Sequence, residues 1–474
     1  MSSASTDPAP PASDTVAPTR DDRDIADASP VIGDPVGDRA VAGDGFWHPL
    51  RVAVGVALLG YVLAIFARVP CIDSGFAGIS RYTHMCYSDI PVLYSLRGFA
   101  DGYPPYLDHA PGAQGFEYPV LTGAMAQFAA WLTGLFGGGA IGFYAANVAL
   151  IGALLIVTVV ATGLTTGRRR WDAVLVAASP ALLLPSTINW DMLAVALVAV
   201  FLLLWSRRVL FWSGVVLGLA ISAKFYPLIL LGPLFLLCLR AGKLPAFGRM
   251  LVGAVLGWLV ANVPVMLVNY DGWAEFYTFS STRGQDFGSP WLALSIAGIN
   301  VPADQLNLVA TGAFALCCLG LAWFIGAAPR RPRLAPMLFI VLAAFLLTNK
   351  VYSPQYMMWL VPLAVLSLPR LRWLALWQAG ELLYFAAVWL YLAGLENPGK
   401  GLPAGWYSVS IWIHIGLTLW FIGMLVRDAW WPAHDPVRAD AQDDPAGGVL
   451  EGADDRRTWG RFFTRSTAAR HASA

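Results

Sequence analysis

The stretch CYSDIPVLYSLRGFADGYPPYLDHAPGAQGFEYPVLTG, residues 86–123, is polar, aromatic and rich in proline. It separates two long apolar runs, and similar apolar runs recur along most of the chain. A helix needs roughly 20 apolar residues to cross a bilayer. The sequence therefore predicts an all-α polytopic membrane protein of about 12 transmembrane helices, with this stretch as a loop at the membrane surface.

The composition supports the membrane assignment and excludes several function classes. Of 474 residues, 57% are hydrophobic and 13% are charged, whereas roughly 25% of the residues of a soluble domain are charged. A net charge of +1 provides no field to attract nucleic acid, so no such partner is expected. Nucleotide-binding and HExxH motifs are absent, so the energy for any reaction has to arrive in an activated substrate. No cofactor is predicted, and no Cys/His cluster indicates a metal, although a metal requirement stays open.

Three segments are expected along the chain. Residues 1–45 are rich in Ala, Pro and Asp and predict a disordered cytoplasmic tail. Residues 46–427 form the transmembrane domain, and its first span is the expected targeting signal. Residues 428–474 predict a cytoplasmic tail that is disordered or lies on the membrane surface, ending in the basic and aromatic RRTWGRFFTRSTAAR.

Thirteen apolar segments are candidate spans, and the chain needs an even number of crossings if both tails are cytoplasmic. One segment, around 119–137, is therefore expected not to cross fully, and residues 289–299 are a candidate half-helix. The candidate spans lie near 49–69, 119–137, 140–163, 172–188, 190–206, 209–223, 225–240, 248–268, 305–328, 335–349, 354–369, 373–394 and 408–427.

Arginine marks one set of loops, and cytoplasmic loops carry an excess of Lys and Arg. The loops on the opposite face hold the Asp, Asn, Tyr, Trp and Pro residues, so one face is predicted to carry the chemistry. The arginine-rich positions are 168–170, 207–208, 240–249, 330–333 and 370–372, and the opposite segments are 70–118, 186–191, 223–227, 269–290, 348–356 and 395–406.

Asp89 in the first loop has two interpretations that the sequence leaves open. The apolar stripe that follows it predicts a helix lying flat in the interface, and Asp89 would be its N-cap. A carboxylate at the membrane boundary is equally suited to act as a general base. In the same loop, Cys71 and Cys86 could form a disulfide if the loop faces an oxidising compartment.

Asp191, Glu117 and Tyr118 are further candidates for substrate binding. Asp191 begins an apolar span, where the helix dipole favours an acid, but acids at membrane depth are also often functional. Glu117 and Tyr118 precede the span of residues 119–137 in FEYPVL. Tyrosine suits the interface by its chemistry alone, so both interpretations stay open.

Two lysines occur in matched contexts that suggest an anion site. Lys224 interrupts a long apolar stretch and is followed by Tyr226 and Pro227, while Lys350 precedes a second break. Each lysine could instead extend its ammonium group to the surface. The remaining candidates for this site are Tyr352, Gln355 and Tyr356 after Lys350, with Arg283 and His84 as weaker ones.

The order D-I-P-V-L-Y, G-Y-P-P-Y and F-E-Y-P after the first span resembles the GT-C superfamily of membrane glycosyltransferases. With the later AKFYPLILLGPL and NKVYSPQYMMWLVPL, it resembles glycosyltransferase family 87 (DUF2029), the polyprenol-phosphate-mannose-dependent mannosyltransferases. The resemblance covers residues 49–427. One departure is Val120, which stands where the family more commonly has the second proline of YPP.

The resemblance implies a GT-C-type bundle with interfacial helices in the first outer loop and, by position, Asp89 as the catalytic base. It implies a polyprenyl-phosphate sugar as donor, with mannose as the family sugar and a pentose such as arabinofuranose as an alternative. The sugar would pass with inversion to a hydroxyl of an envelope glycolipid or polysaccharide. This chemistry would take place on the extracytoplasmic face of the plasma membrane, where Lys224 and Lys350 would stabilise the phosphate.

Two other functions compete with this interpretation. Broken helices and intramembrane charges also suit a lipid-linked sugar flippase or another transporter, although the paired repeats common in transporters are not evident. A non-catalytic scaffold for envelope assembly is the third hypothesis.

Overall fold

A computed structural model describes residues 47–109, 114–439 and 443–456. The predicted tail 1–45 and residues 457–474 of the basic, aromatic end lie outside the described residues. The described chain is a helical bundle, and the helices of its first part carry the first loop and the segment before Asp191. They are α1 (Pro49–Phe66), α2 (Val69–Asp73), α3 (Ser80–Thr83), α4 (Asp89–Leu96), α5 (Val120–Leu132), α6 (Gly139–Thr165), α7 (Ala173–Ala177), α8 (Pro180–Leu183) and α9 (Asp191–Ser206).

The second part of the chain adds further helices and two short strands that form a parallel pair. Asp286 of the first strand lies opposite Val351 of the second. These elements are α10 (Leu210–Ala223), α11 (Leu231–Ala241), α12 (Leu244–Val268), α13 (Tyr270–Thr282), β1 (Asp286–Phe287), α14 (Pro290–Ile296), α15 (Ala303–Ala327), α16 (Leu334–Thr348), β2 (Val351–Tyr352), α17 (Met357–Ser367), α18 (Leu371–Glu396), α19 (Ala404–Trp430) and α20 (Pro436–Ala439).

Within the described residues, six helices are long and apolar enough to cross a membrane: α1, α6, α12, α15, α18 and α19. Several other apolar helices have between 10 and 17 residues, which is less than the roughly 20 that a perpendicular crossing requires. One of these shorter helices is α5, in the segment expected not to cross fully. The chain is therefore a multi-pass membrane protein by its helices, and the number of about 12 crossings stays a prediction.

The prediction of a continuous span over residues 172–188 is wrong. The structure has two short helices there, α7 and α8, followed by turns up to Trp190. Proline disfavours the helical conformation of the residue before it, and this segment contains Pro180 and Pro185. The break matters because it places backbone carbonyl groups of residues 184–188 beside the first loop.

Glycine residues allow two helices of the bundle to approach closely. The stretches GVVLG (214–218) on α10 and GAVLG (253–257) on α12 face each other. A Cβ atom added to Gly214 would lie 1.9 Å from the carbonyl oxygen of Met250. Small residues four apart allow helix backbones to approach at this distance in membranes, so the sequence of these two helices determines how they pack.

The two kinds of loop lie at opposite ends of the bundle. Helix α9 runs from Asp191 to the arginine pair 207–208, α10 returns from there to Lys224, and α16 runs from Arg333 to Asn349. The basic loops therefore gather at one end and the polar, aromatic segments at the other, as the sequence predicts. The structure contains no membrane, so the side on which each end lies stays a prediction.

The described part of the C-terminal segment differs from the predicted disordered or membrane-surface tail. Helix α19 continues to Trp430, and residues 443–456 are folded against the arginine-rich end. The guanidinium group of Arg240 is buried and pairs with Asp455 at 2.6 Å, while Trp205 donates to the carbonyl of Gly447 at 2.8 Å. The segment is ordered because its carboxylates and carbonyls neutralise or accept from buried arginines.

Candidate active site

The backbone around Asp89 is bound to the broken segment that leads to Asp191. The hydroxyl of Ser88 accepts from the amide of Ile90 at 3.2 Å and donates to the carbonyl of Thr187 at 2.7 Å. The amide of Asp89 donates to the carbonyl of Ile188 at 2.7 Å. Ser88 is therefore the N-cap of α4, and the interpretation of Asp89 as the N-cap is wrong. The carboxylate of Asp89 is therefore not used to cap α4 and can make other contacts.

A disulfide and one buried arginine also hold the first loop in place. Cys71 and Cys86 form a disulfide in the structure. Arg68, which is 3% exposed, donates to the carbonyl of Tyr87 at 3.2 Å and to that of Leu184. Sequence analysis missed Arg68, although an arginine at the end of the first span opposite the basic loops runs against the charge bias and is a usable signal.

The carboxylate of Asp89 is partly buried and lies in the first loop, outside the apolar spans. The hydroxyl of Tyr118 donates to its Oδ2 at 3.1 Å. Burial raises the pKa of Asp89 to about 6, the hydrogen bonds of Tyr87 and Tyr118 act to lower it, and the charge of Glu117 raises it further. A carboxyl group with this pKa is charged at neutral pH and can accept a proton near it, which is what a general base requires.

Tyr118 connects Asp89 to Lys224. The ammonium group of Lys224 lies 4.7 Å from the centroid of the Tyr118 ring, an arrangement that the negative face of the ring stabilises. The same ammonium lies 2.6 Å from Oδ1 of Asp191, whose Oδ2 accepts from the indole nitrogen of Trp359 at 3.0 Å. Asn189 donates to the Tyr118 hydroxyl at 3.4 Å. Six side chains from four separate segments thus form one connected group.

A cavity of about 370 Å³ lies beside this group. Its charged lining residues are three cations, Lys224, Arg283 and Lys350, and no carboxylate is among the residues that line it. The lining also contains polar and aromatic residues, which are Phe225, Tyr226, Phe276, Tyr277, Phe279, Ser280, Ser281, Phe345, Asn349, Tyr356 and Trp359. A concave site with convergent cations and aromatic walls suits an anionic substrate that carries an apolar part.

Lys350 reaches the cavity from the turn before β2. Its ammonium group donates to Oδ1 of Asn307 at 2.7 Å and to the carbonyl of Ser281 at 3.1 Å. Burial and the nearby charge of Arg283 lower its pKa. Arg283 pairs with Asp286 at 2.7 Å. Lys350 is thus held by neutral oxygen atoms, and its positive charge is available to an anion.

Asp89 itself does not line the cavity, because the ring of Tyr118 lies between it and Lys224. The candidate base and the cations are on the same end of the bundle and are separated by one side chain. Of the residues predicted from the sequence, the structure brings together Asp89, Tyr118, Asp191, Lys224, Arg283, Lys350 and Tyr356.

Four predicted substrate-binding residues lie elsewhere. Glu117 forms a two-contact ion pair with Arg97, at 2.6 and 2.9 Å. His84 is exposed and bonds within α3, to Ser80 at 3.1 Å. Neither residue lines the cavity, so the structure gives Glu117 a role in fixing the loop.

Tyr352 and Gln355 are buried away from the cavity lining. The hydroxyl of Tyr352 donates to Oε2 of Glu381 at 3.0 Å, within the bundle. Sequence analysis missed Glu381 and Trp359 because each is one polar group inside an apolar helix. An acid in such a helix is a signal in itself, since burying it without partners is costly. Within the described residues, no group of three His, Cys, Asp or Glu side chains could hold a metal ion.

Comparison with known families gives one match. Residues 116–348 match the model of glycosyltransferase family 87. Over these residues the chain is similar to glycosyltransferase family 87. The matched segment contains Tyr118, Asp191, Lys224 and Arg283, begins after Asp89 and ends before Lys350. No curated protein matches the chain at a significant level. The match is consistent with a GT-C-type fold and supports a membrane glycosyltransferase.

Proposed function

We propose that this protein transfers a sugar from a polyprenyl-phosphate donor to a hydroxyl group of an envelope glycolipid or polysaccharide, at the extracytoplasmic face of the plasma membrane. Mannose is the proposed sugar. The observation that carries the proposal is the connected group Asp89–Tyr118–Lys224 beside a cavity of about 370 Å³ lined by three cations. A base and an anion site in this proximity are what an inverting transfer from a phosphate ester needs.

In the proposed reaction, the carboxylate of Asp89 accepts the proton of the acceptor hydroxyl while its oxygen forms a bond to the anomeric carbon. The bond between the anomeric carbon and the phosphate oxygen breaks, and its electron pair leaves with the phosphate. The donor is a phosphodiester with one negative charge, whereas the product is a monoester with two, so negative charge grows on the leaving group. Cations that bind this growing charge stabilise the transition state more than the ground state.

The position of each cation is consistent with binding of the phosphate leaving group. Lys224 lies next to Tyr118 and therefore nearest to Asp89, where the bond to phosphate would break. Lys350 and Arg283 line the same cavity from the other segments. The aromatic side chains of the lining suit the first isoprene units of the donor, because they offer apolar area with little entropy cost.

The test is transfer by the purified protein in detergent, with synthetic radiolabelled farnesyl-phosphate mannose as donor. Asp89→Asn keeps the size of the side chain but removes the base, and we expect transfer to fall by about 10²–10⁴-fold. Asp101→Asn, an exposed carboxylate of the same loop, is the matched control and should leave the rate unchanged. Near-normal transfer by Asp89→Asn would refute the role of Asp89. A wild-type protein that moves the donor across vesicle membranes without forming product would instead establish transport.

A further inference from the structure

Three aromatic side chains form a group near Asp89. The rings of Tyr82 and Tyr87 are nearly parallel, with centroids 5.9 Å apart and an angle of 22°. Trp389 of α18 joins them, 6.2 Å from Tyr82 at 14° and 5.3 Å from Tyr87 at 35°. We call Tyr82, Tyr87 and Trp389 the aromatic surface.

The aromatic surface is directly connected to the candidate base. Tyr87 is two residues before Asp89 and lies close enough to the Asp89 carboxyl group to influence its pKa. Asp89 therefore interacts both with Tyr118, which adjoins Lys224 of the cavity, and with Tyr87 of the aromatic surface, and none of the three aromatic residues lines the cavity. A base that takes the proton of an acceptor must contact the acceptor, and the donor phosphate is assigned to the cavity side.

Polar groups border the aromatic surface in the way that a sugar ring requires. Arg81 lies with its guanidinium 4.7 Å from the centroid of Tyr82 and pairs with Glu396 at 2.6 Å. Within the described residues, the indole nitrogen of Trp389 and Nε of Arg81 are buried without a hydrogen-bond partner. Unpaired buried donors are rare in folded proteins, and a ligand hydroxyl is one group that can satisfy them.

The aromatic surface also differs from the tyrosine and tryptophan belts that anchor proteins at the membrane interface. An anchoring side chain contacts the lipid headgroups, but Trp389 is only 2% exposed and packs against Tyr82 and Tyr87, whose partly exposed rings are the accessible part of the aromatic surface. The negative face of an aromatic ring attracts the weakly positive C–H groups on one side of a pyranose, while planar charged groups bind its hydroxyls. A peptide hydroxyl or a lipid alcohol needs neither feature.

From these contacts we infer that Tyr82, Tyr87 and Trp389, with Arg81 and Glu396, form the binding site for a sugar ring of the acceptor, outside the cavity assigned to the donor phosphate. This inference rests on the proposed function. It places the reacting hydroxyl of the acceptor on a carbohydrate that stacks on the aromatic surface next to Asp89.

The experiment uses the purified full chain in a sugar-free detergent with farnesyl-phosphate mannose. The acceptors are methyl α-mannoside, methyl β-glucoside, methyl β-galactoside, a Ser/Thr peptide and 1-octanol. Both transfer and hydrolysis of the donor are measured. We expect a methyl pyranoside to be the acceptor. Tyr82→Leu should raise the KM of this acceptor by about tenfold, which is the value of an aromatic contact of this kind.

Two control variants make the result specific to the aromatic face. Tyr82→Phe keeps the ring and should restore the acceptor KM, and Tyr270→Leu changes an exposed tyrosine outside both sites. Donor hydrolysis and donor KM should stay unchanged in all three variants. Two results with the wild-type protein would overturn the inference: transfer only to the peptide or octanol, and donor hydrolysis without transfer to any pyranoside. An unchanged acceptor KM in Tyr82→Leu would also overturn it and would leave the aromatic surface as an interfacial anchor only. A wild-type protein that neither transfers nor hydrolyses the donor would instead refute the proposed function, and the inference with it.

Discussion

The two lysines of the cavity have different electrostatic partners, and we therefore expect them to have different roles in substrate binding. Lys224 forms an ion pair with Asp191, which is 2% exposed, at 2.6 Å. A buried ammonium group with a fixed carboxylate stays protonated, since the pair compensates for lost hydration. Among the residues that the structure describes, the partners of Lys350 are instead two neutral oxygen atoms, at 2.7 and 3.1 Å. We therefore expect Lys224 to be a fixed cation of the site and Lys350 to supply the uncompensated charge that attracts the phosphate.

The pKa of Asp89 predicts the acidic side of the activity profile. Burial raises this pKa to about 6, and a general base works only as the carboxylate. We expect kcat/KM for transfer to be constant above pH 7 and to fall about tenfold per pH unit well below pH 6. The measurement is kcat/KM from pH 4.5 to 8, with donor binding followed separately as the control. A profile that stays flat down to pH 4.5 would contradict the assignment.

At the scale of elements, the strand pair β1–β2 connects the cavity to the centre of the bundle. The segments that carry Arg283 and Lys350 continue into these strands. The hydroxyl of Tyr384 accepts from the amide of Gly288 at 2.9 Å and donates to the carbonyl of Tyr352. These bonds, from one helix to both polar segments, hold the two cations in a fixed relation. Two-residue strands have little stability of their own, so helices α18 and α19 provide it.

Glu381 of α18 is the buried acid of this connection and provides a test. It accepts from Tyr352 at 3.0 Å and from Thr418 at 2.9 Å, and His414 lies 3.7 Å away. Glu381→Leu leaves the Tyr352 hydroxyl without its partner, at a cost of about 1–3 kcal/mol. We expect the donor KM to rise by about fivefold to tenfold because the β2 segment with Lys350 loosens.

The acceptor KM is the internal control for Glu381→Leu, because Tyr82 and Tyr87 of the aromatic surface are held by the first loop and not by β2. Glu381→Gln keeps one oxygen acceptor and should lie between the wild type and Glu381→Leu. Equal changes in the donor and acceptor KM values would show that Glu381 acts on general stability and not on the position of the cations.

At the scale of the whole molecule, the two ends of the bundle have separate physical tasks. The polar end brings together a base, cations and aromatic rings around a cavity. The arginine-rich end is closed by residues 443–456, whose carboxylates pair with the arginines of several loops. Arg330 pairs with Asp443 and Arg240 with Asp455, both at 2.6 Å. The C-terminal segment thus joins loops that are far apart in sequence, and we expect it to stabilise the bundle without affecting the chemistry.

Asp455→Asn tests this separation of tasks. Arg240 is 1% exposed, so removal of its partner leaves a buried charge uncompensated. The free energy of unfolding should fall by about 1–3 kcal/mol, which is less than for a fully buried pair because Asp455 is partly exposed. The apparent melting temperature in detergent should fall, while the acceptor and donor KM values measured at low temperature should not change. Asp454→Asn, the exposed neighbouring carboxylate, is the control. An altered donor KM in Asp455→Asn with an unchanged melting temperature would contradict the assignment.

Much of the fold follows from the sequence because bilayer crossing is a local property. Length and apolarity decide whether a segment can be a membrane helix, and both are visible in a window of roughly 20 residues. The helices therefore follow the expected segments closely, including the break after Lys224 and the short helix α14. The exception is residues 172–188, where two prolines and contacts with Arg68 produce a broken segment. The break was not predicted because the segment is apolar on average, like a continuous membrane span.

The sequence by itself determined which side chains could do chemistry: Asp89, Asp191, Lys224 and Lys350 are notable because charges are costly in apolar surroundings. Only the tertiary structure decided which of them meet. Contacts across 168 positions, such as that of Trp359 with Asp191, depend on how helices pack, and packing depends on all the faces together. For the same reason Glu117 and Tyr352, equally good candidates by composition, are committed to Arg97 and Glu381. The chemistry of a side chain depends on the residue alone, whereas its partner depends on how all the helices of the bundle pack.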